Sequence, residues 1–280
     1  MATRGIVWIA SYPKSGNTWV RAFLAACMMK KQRPLEMADI EAFGIDDYSI
    51  LPYEDYLGRP VHGMTYEEVK RNRHNVHRFI IDRLNNLVVM KTHSPASYRD
   101  GTPAMTWDAT AGAIYLVRNP LDVVISYSEH LGKSIDETIR HLNSEKTMST
   151  QPNQIPFYLG SWSSHVRGWT EQENLQRVVV RYEDLVANPE PQFRKIAELL
   201  GLKLDDAGLQ RVLGMTQFER LKQAEQKSGF KEKPPHSKRF FRTGKTKQWL
   251  DRLSTEQIRR ITSANHAMME RFGYAESLSQ

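Results

Sequence analysis

The sequence predicts an α/β fold in which a central parallel sheet is flanked by helices. Short runs rich in β-branched and apolar residues alternate along the chain with longer segments of helical periodicity. Several of the helical segments also begin with residues that favour a helix start, which separates them clearly from the strands. This order of elements is typical of strand–helix–strand units that build a parallel sheet.

Four strand-like runs define the predicted sheet, and three of them lead into a helix. The first strand is followed by a tight polar turn, and the others end close to charged or aromatic residues. In chain order, we expect a strand at 6–10, a helix at about 16–30, a strand at 87–91, a strand at 113–117 with a helix from Asn119, and a strand at 177–182 with a helix from Asn188.

Capping signals and apolar periodicity predict the starts and extents of further helices. Asn119-Pro120 and Asn188-Pro189 place a capping side chain before a proline at the first helical position. Thr65 with Glu68, and Ser134 with Glu137, have the spacing of capping boxes. Apolar spacing predicts amphipathic helices at 65–84 and 255–272, whereas glycines, paired prolines and basic residues predict an irregular segment at 227–247. That segment is either a solvated loop or a cover that closes over an anionic ligand.

Composition limits the class of protein. Of 280 residues, 40% are hydrophobic and 25% charged, which argues against both disorder and a polytopic membrane protein, and we expect one domain over 1–280. The net charge of +7 favours an anionic partner without identifying it. Cys27, the single cysteine, excludes a disulfide-stapled fold. With no signal peptide and no apolar run near the ~20 residues of a membrane span, we expect a cytoplasmic protein.

The strongest motif is the octapeptide from Tyr12 to Trp19, which lies between the first strand and the first helix. Such a turn presents unpaired backbone N–H groups and the positive end of a helix dipole to an anion. Gly16 permits close approach of the backbone, and Lys14 adds a charge. Side-chain hydrogen-bond donors follow from Ser15, Asn17 and Thr18. The octapeptide therefore predicts an anion-binding turn, but not the ATPase P-loop, in which lysine follows the second glycine.

Two more strand ends carry basic side chains. Arg118 follows the strand at 113–117, where a guanidinium suits a phosphate at the carboxyl edge of the sheet. Ser126 lies about two helical turns further on and could face the same cleft. The alternative is that Arg118 forms a salt bridge with Asp122 and Ser126 is merely small and buried. Lys91-Thr92-His93 ends the strand at 87–91, and its imidazole could serve as a general base.

These motifs together resemble the sulfotransferase family, whose members use 3′-phosphoadenosine 5′-phosphosulfate (PAPS). The octapeptide resembles the 5′-phosphosulfate loop, and the stretch from Arg118 to Tyr127 is similar to the 3′-phosphate segment. The resemblance runs from Trp8 to about Trp249. It implies a P-loop-like nucleotide-binding fold, His93 as the general base and Lys14 and Lys91 as catalytic cations. The implied member is a cytosolic-type, bacterial-like enzyme for small molecules.

The resemblance also implies further donor-binding residues. The family's Tyr-Glu-Asp segment corresponds to Tyr182 and its neighbours, with the tyrosine near adenine. A threonine and an aromatic ring near adenine correspond to Thr216 and Phe218. The family's Arg-x-Gly clamp corresponds to Arg242-Thr243-Gly244, where Thr243 replaces the usual lysine. The full set of implied donor-binding residues is Lys14, Ser15, Gly16, Asn17, Thr18, Trp19, Arg118, Ser126, Tyr182, Thr216, Phe218, Arg242, Thr243 and Gly244.

The expected reaction is transfer of a sulfuryl group from PAPS to a hydroxyl, or less readily an amine, of a small acceptor, without a metal. A nucleotide kinase-like phosphotransferase and a basic nucleic-acid-binding protein are the alternatives, although no motif for reading bases is present. A homo-oligomer is possible, but the family's dimerisation signature is not evident after Trp249. The acceptor itself is not fixed by the sequence.

Three other groups of residues have ordinary structural explanations. His74 and His77 are expected at the surface rather than at a metal site. His130 is a reserve general base, or otherwise a cation near a helix end. A set of aromatic residues could line an acceptor pocket but is more typical of a core; its members are Tyr48, Tyr53, Tyr56, Phe157, Tyr158 and Trp162.

Overall fold

A computed structural model describes residues 4–31, 33–96, 98–99, 102–151 and 153–275. A five-stranded parallel sheet lies at the centre. Its strands are β1 (Gly5–Ser11), β2 (Ile45–Asp46), β3 (Leu87–Thr92), β6 (Thr110–Val117) and β9 (Arg177–Arg181). Across the sheet they lie in the order β2-β3-β1-β6-β9. Two small antiparallel hairpins lie outside it, formed by β4 (Tyr98–Arg99) with β5 (Thr102–Pro103), and by β7 (Met148–Ser149) with β8 (Phe157–Tyr158).

Helices cover both faces of the sheet, and a short 3-10 helix at Trp107–Ala109 precedes β6. The α-helices of the described chain are α1 (Asn17–Met28), α2 (Met37–Ala42), α3 (Leu51–Leu57), α4 (Tyr66–Leu84), α5 (Pro120–Leu131), α6 (Ile135–Asn143), α7 (Trp162–Glu171), α8 (Tyr182–Ala187), α9 (Pro189–Leu199), α10 (Asp206–Met215), α11 (Phe218–Ser228), α12 (Trp249–Arg252) and α13 (Thr255–Arg271).

The sheet separates two hydrophobic cores because successive strand residues point to opposite faces. In β1, Trp8 packs into the core shared with α4, α5, α7 and α13, whereas Ile9 packs into the core shared with α1, α2, α9 and α10. Both faces are therefore buried, which explains why β1 is apolar along nearly its whole length. The predicted α/β class with a parallel sheet and flanking helices is confirmed.

Strand register brings the predicted site residues to one edge. Ala10 of β1 lies opposite Thr92 of β3, and Val117 of β6 lies opposite Arg181 of β9. After β1 the chain forms β2 and β3 on one side of β1, and then β6 and β9 on its other side. The direction in which strands are added therefore reverses at β1. Open α/β sheets bind ligands beyond the carboxyl ends of the strands at such a reversal.

Most predicted boundaries agree with the structure to within a few residues. Both capping boxes form, and the Asn119 side chain accepts a hydrogen bond from the Leu121 N–H at 3.0 Å. Asn188 was expected to cap a helix in the same way, but its side chain makes no capping hydrogen bond. The reason is that Asn188 also ends α8, where its backbone N–H donates to the carbonyl of Asp184 at 2.9 Å.

Three other boundaries differ from the prediction. β9 ends at Arg181, so Tyr182 begins α8 instead of completing the strand. The helix predicted at 16–30 is α1, which ends at Met28. The segment predicted to be irregular from 227 starts only at Gly229, because α11 continues to Ser228. The predicted single domain over 1–280 stays a prediction, and its residues 1–3 and 276–280 lie outside the described residues.

Candidate active site

The turn between β1 and α1 forms a concave backbone at the sheet edge. Lys14 and Gly16 both adopt left-handed backbone conformations, with φ of 68° and 101°. Gly16 precedes α1 and provides no side-chain cap, and the Trp19 N–H donates to the Gly16 carbonyl at 3.0 Å, so the helix start presents its earliest N–H groups to the turn. A Cβ at Gly16 would lie 2.8 Å from the ring of Tyr182, so only glycine leaves room for that ring. The turn has the form expected of an anion site.

Lys14 places its ammonium group inside the cleft, against an aromatic ring. Its Nζ lies 4.1 Å from the ring centroid of Phe240, a cation–π contact. Burial lowers the pKa of Lys14 to about 8; the nearby cations Arg118, Lys91 and Arg242 add to this effect, while Glu232 opposes it. This ammonium group is therefore poorly compensated in the protein alone, and an anionic ligand would stabilise its charged form.

Arg118 connects the anion-binding turn to β6 and to the later part of the chain. Its guanidinium donates to the carbonyls of Lys14 at 2.9 Å and Lys245 at 3.1 Å, and it stacks 4.2 Å from the ring centroid of Tyr182. The alternative salt bridge with Asp122 does not form. The Asp122 carboxylate instead accepts hydrogen bonds from the backbone N–H of Lys247 at 2.8 Å and of Trp249 at 3.3 Å.

His93 follows β3 and lines the cleft with its imidazole. Its Nδ1 lies 2.7 Å from the carbonyl oxygen of Ser11, so Nδ1 carries the proton and donates it to that oxygen. Burial, reinforced by the charge of Lys91, lowers the pKa of His93 well below its usual range. A neutral ring with a protonated Nδ1 leaves the lone pair on Nε2, as a general base requires.

A buried hydrogen-bond network holds the backbone around His93. The carbonyl of His93 accepts a hydrogen bond from Nε2 of His165 at 3.0 Å, while Nδ1 of His165 accepts one from the Tyr115 hydroxyl at 2.9 Å. On the other side, the Asp47 carboxylate accepts a hydrogen bond from the Thr92 hydroxyl at 2.8 Å. These bonds clamp the chain on both sides of the base and fix where its ring lies.

The Asp47 carboxylate also accounts for the position of His77, which differs from the predicted one. His77 was expected at the surface, but it is 1% exposed and its Nε2 donates to Asp47 at 2.9 Å. The buried carboxylate is ionised, because Arg73, His77 and Thr92 outweigh its burial and lower its pKa to about 2. His77 is therefore a buried partner of Asp47 and belongs to the support beneath β3.

Residues 229–248, here named the covering segment, form one wall of the cleft. The segment is irregular, as its composition predicts, and it encloses a cleft of about 720 Å³ together with the sheet edge. Its backbone is held by carboxylates: Glu225 accepts hydrogen bonds from the N–H of Phe240 at 2.5 Å and of Phe241 at 2.9 Å. The segment therefore lines the cleft, and its closing over an anionic ligand stays a prediction.

Most of the residues predicted from the sequence meet in this cleft. Those that line it are Lys14, Gly16, Asn17, Thr18, Trp19, Lys91, His93, Arg118, Ser126, Tyr182, Phe218, Arg242, Thr243 and Gly244. Ser15 and Thr216 are fully buried and do not line it. The Thr216 hydroxyl donates to the carbonyls of Val212 at 3.1 Å and Leu213 at 3.3 Å, within the end of α10.

Comparisons with known proteins agree with this geometry. The family described as "Sulfotransferase domain" matches residues 5–273. The chain belongs to the sulfotransferase family. Mouse sulfotransferase 1B1 is 27% identical over 233 residues, which is 79% of this chain and 67% of that protein.

Two solved structures share the fold. Mouse sulfotransferase SULT7A1 complexed with PAP has a TM-score of 0.62 at 17% identity, covering 96% of this chain and 86% of its own. Retinol dehydratase complexed with retinol and PAP has a TM-score of 0.65 at 20% identity, covering 96% of this chain and 82% of its own. The predicted family and the predicted P-loop-like sulfotransferase fold are therefore confirmed.

Among the candidate acceptor-pocket aromatics, two of six line the sulfotransferase cleft. Tyr48 stacks on Phe157 with ring centroids 4.0 Å apart, and on His93 at 5.9 Å. Tyr53 and Trp162 belong to the core, as the structural explanation expects. His130 also lines the cleft, but burial lowers its pKa to about 3, so it is not the helix-end cation considered from the sequence.

Sequence patterns missed several residues of the site. Asp46, Asp47, His165 and Glu232 belong to no motif, because each reaches its position through tertiary folding. Within the described ranges, no group of three or more potential metal ligands converges. In the same part of the chain, no helix combines the length and apolar character needed to cross a bilayer.

Proposed function

We propose that this sulfotransferase moves a sulfuryl group from PAPS to a hydroxyl of a small acceptor, in one in-line displacement without a metal, in the cytoplasm. The observation that carries the proposal is the convergence of Lys14, Lys91, Arg118 and Arg242 on the cleft that His93 lines. Such a cleft suits a nucleotide with charge at both ends of its ribose and a neutral acceptor group at the base. An amine acceptor would use the same base.

The proposed donor site has two anion-binding parts. Lys14, with the first N–H groups of α1, faces the 5′-phosphosulfate, while Arg118, Ser126 and Arg242 hold the 3′-phosphate. Tyr182 and Phe218 flank the adenine. The glycines support this assignment: a Cβ at Gly244 would lie 2.7 Å from the ring of Phe218, just as one at Gly16 would meet Tyr182.

The proposed transfer needs one proton acceptor and fixed positive charge. Nε2 of His93 takes the proton of the acceptor hydroxyl as its oxygen bonds to sulfur. The bond between sulfur and the bridging oxygen breaks, and the electron pair leaves on the 5′-phosphate of adenosine 3′,5′-bisphosphate. Lys14 and Lys91 neutralise that charge, so positioning and electrostatics supply most of the rate enhancement. The products are the sulfated acceptor and adenosine 3′,5′-bisphosphate.

Calorimetry with two nucleotides tests the donor. We expect adenosine 3′,5′-bisphosphate to bind and ATP to bind at least about tenfold more weakly, because Lys14 precedes the glycine of the turn and the 3′-phosphate contacts are lost. Equal or tighter binding of ATP would instead support the kinase-like alternative. Transfer itself is measured with PAPS labelled in its sulfuryl group and a panel of phenols, aliphatic alcohols and sugars.

The general base is tested with His93→Ala. We expect this variant to lose transfer while its affinity for adenosine 3′,5′-bisphosphate stays within a few-fold, since the imidazole is not assigned to donor binding. His266→Ala is the matched control, because that imidazole is exposed on α13 and does not line the cleft. Full turnover by His93→Ala would show that the base is elsewhere, and His130 would be tested next.

A further inference from the structure

Glu232 is an acidic residue in a cleft otherwise dominated by cations, and it comes from the covering segment. One of its carboxylate oxygens lies 3.3 Å from Nζ of Lys91, and the other forms an ion pair with Arg21 of α1. The Arg21 side chain is 7% exposed and that of Lys91 is 10% exposed. The Glu232 carboxylate therefore compensates two buried cations, one of which is assigned to the transfer step.

The contacts of Lys91 suggest what this carboxylate does. An ammonium group has three N–H donors. Asp46 accepts one of them at 3.2 Å and Glu232 accepts a second at 3.3 Å, so one remains for the bridging oxygen of a donor. Although burial opposes the charge, the two carboxylates raise the pKa of Lys91, which keeps it protonated. Two fixed acceptors also restrict where the ammonium group lies.

Glu232 differs from the other members of this cluster in where it is attached. Arg21, Asp46 and Lys91 lie on α1, β2 and β3, which are parts of the sheet framework. Glu232 lies on the covering segment, whose neighbouring Lys231 donates its backbone N–H to Glu41 of α2 at 2.7 Å. Moving the segment away would remove one carboxylate from Lys91 and leave Arg21 buried without its ion-pair partner, which is costly.

We propose that Glu232 is a positioning residue that holds the Lys91 ammonium group for the transfer step, and that it does so only while the covering segment is closed. This inference rests on the proposed function for its effect on catalysis. The proposed effect of Glu232 on closure of the segment is argued from its ion pairs alone and does not depend on that function. The consequence is that closure over the donor and placement of the catalytic cation are one event.

Glu232→Gln is the first test, since it keeps the shape of the side chain but removes the charge. We expect kcat to fall about tenfold or more, and by a larger factor than the KM for PAPS rises, because the contact serves the transfer step. Glu232→Asp, which keeps the charge, should recover part of kcat. Glu256→Gln, which removes an exposed carboxylate of α13, is the control and should not change kcat.

A double-mutant cycle separates this role from a purely structural one. If Glu232 acts through Lys91, Glu232→Gln should lower kcat of wild type but not that of Lys91→Met. Equal effects in both backgrounds would overturn the inference, as would an unchanged kcat in Glu232→Gln. If Glu232→Gln fails to fold, the same comparison is made with Glu232→Asp, for which a smaller loss of the same pattern is expected.

Hydrogen exchange provides a readout that needs no turnover. We expect the backbone amides of residues 229–248 to exchange faster in Glu232→Gln than in wild type, and the Glu256→Gln control to match wild type. Equal exchange in all three proteins would overturn the closure part of the inference. Failure of wild type to bind adenosine 3′,5′-bisphosphate would instead refute the proposed function, and the exchange comparison would still decide whether Glu232 closes the segment.

Discussion

The low pKa of Lys14 predicts that donor binding weakens in mildly alkaline solution. Burial is the largest cause of that pKa of about 8, and the nearby cations lower it further. At this value about nine-tenths of the free protein carries the Lys14 charge at pH 7 and about one-tenth at pH 9. An unperturbed lysine, with a pKa near 10.4, would stay charged across this range.

The size of the effect follows from proton linkage. A phosphate next to Lys14 raises its pKa, so the complex is protonated where the free protein is not. The dissociation constant of adenosine 3′,5′-bisphosphate should therefore rise about tenfold, or about 1.4 kcal/mol, for each pH unit above 8. Below about pH 8, where Lys14 is already protonated in the free protein, its titration should leave the affinity for adenosine 3′,5′-bisphosphate nearly unchanged.

Isothermal titration calorimetry from pH 7 to pH 9.5 measures this dependence directly. In buffers of different ionisation enthalpy, the uptake of protons on binding should approach one per site at the alkaline end. Lys14→Arg is the control, since its guanidinium stays charged and its affinity should not depend on pH in this range. A wild-type affinity that is flat up to pH 9.5 would refute the reasoning, because it would mean that Lys14 is not desolvated.

Three further predictions concern the donor site, the base and the fold. Arg118→Ala should weaken binding of adenosine 3′,5′-bisphosphate about 10- to 100-fold by calorimetry with little change in kcat, since a charge-assisted phosphate contact is lost; a larger effect on kcat than on binding would contradict this role. The depressed pKa of His93 should keep the base neutral through pH 6.5, so kcat/KM should fall only at lower pH; half-loss at or above pH 6.5 would rule out this histidine. Gly16→Ala should lower the free energy of unfolding in urea by about 1–3 kcal/mol, because φ is 101° and the new Cβ would lie 2.8 Å from Tyr182. Gly214→Ala in α10, where a new Cβ would meet no atom within 4 Å apart from its chain neighbours and its own helix backbone, should be neutral or stabilising, and equal losses in both variants would refute the steric explanation.

Local signals account for what could be predicted from the sequence. The buried strands are continuous apolar runs, and the capping boxes before α4 and α6 depend on residues three apart, so both are visible in a short window. The anion-binding turn was predictable for the same reason, because Lys14 and Gly16 lie within one octapeptide. The very short strands, such as β2 with two residues, carry no such pattern.

The rest of the candidate site depends on long-range packing. Glu232 reaches Lys91 across 141 positions of sequence, and His165 reaches the carbonyl of His93 across 72. Thr216 shows the converse problem. Its position in the chain matches a motif, but its hydroxyl donates to a backbone carbonyl at the end of α10. Motif position thus predicts where a residue lies in the fold more reliably than what its side chain contacts.

The wall of the cleft is held through main-chain amides, so its attachment should tolerate substitution of its side chains. Glu225 holds the amides of Phe240 and Phe241, and Asp122 holds those of Lys247 and Trp249. An amide is present in every residue except proline, so these four attachments do not depend on which side chains the wall presents. Residues 233–239 lie between Glu232 and the first of these anchors. A library that varies those seven positions could therefore alter acceptor preference while the Arg242-Thr243-Gly244 clamp keeps its place.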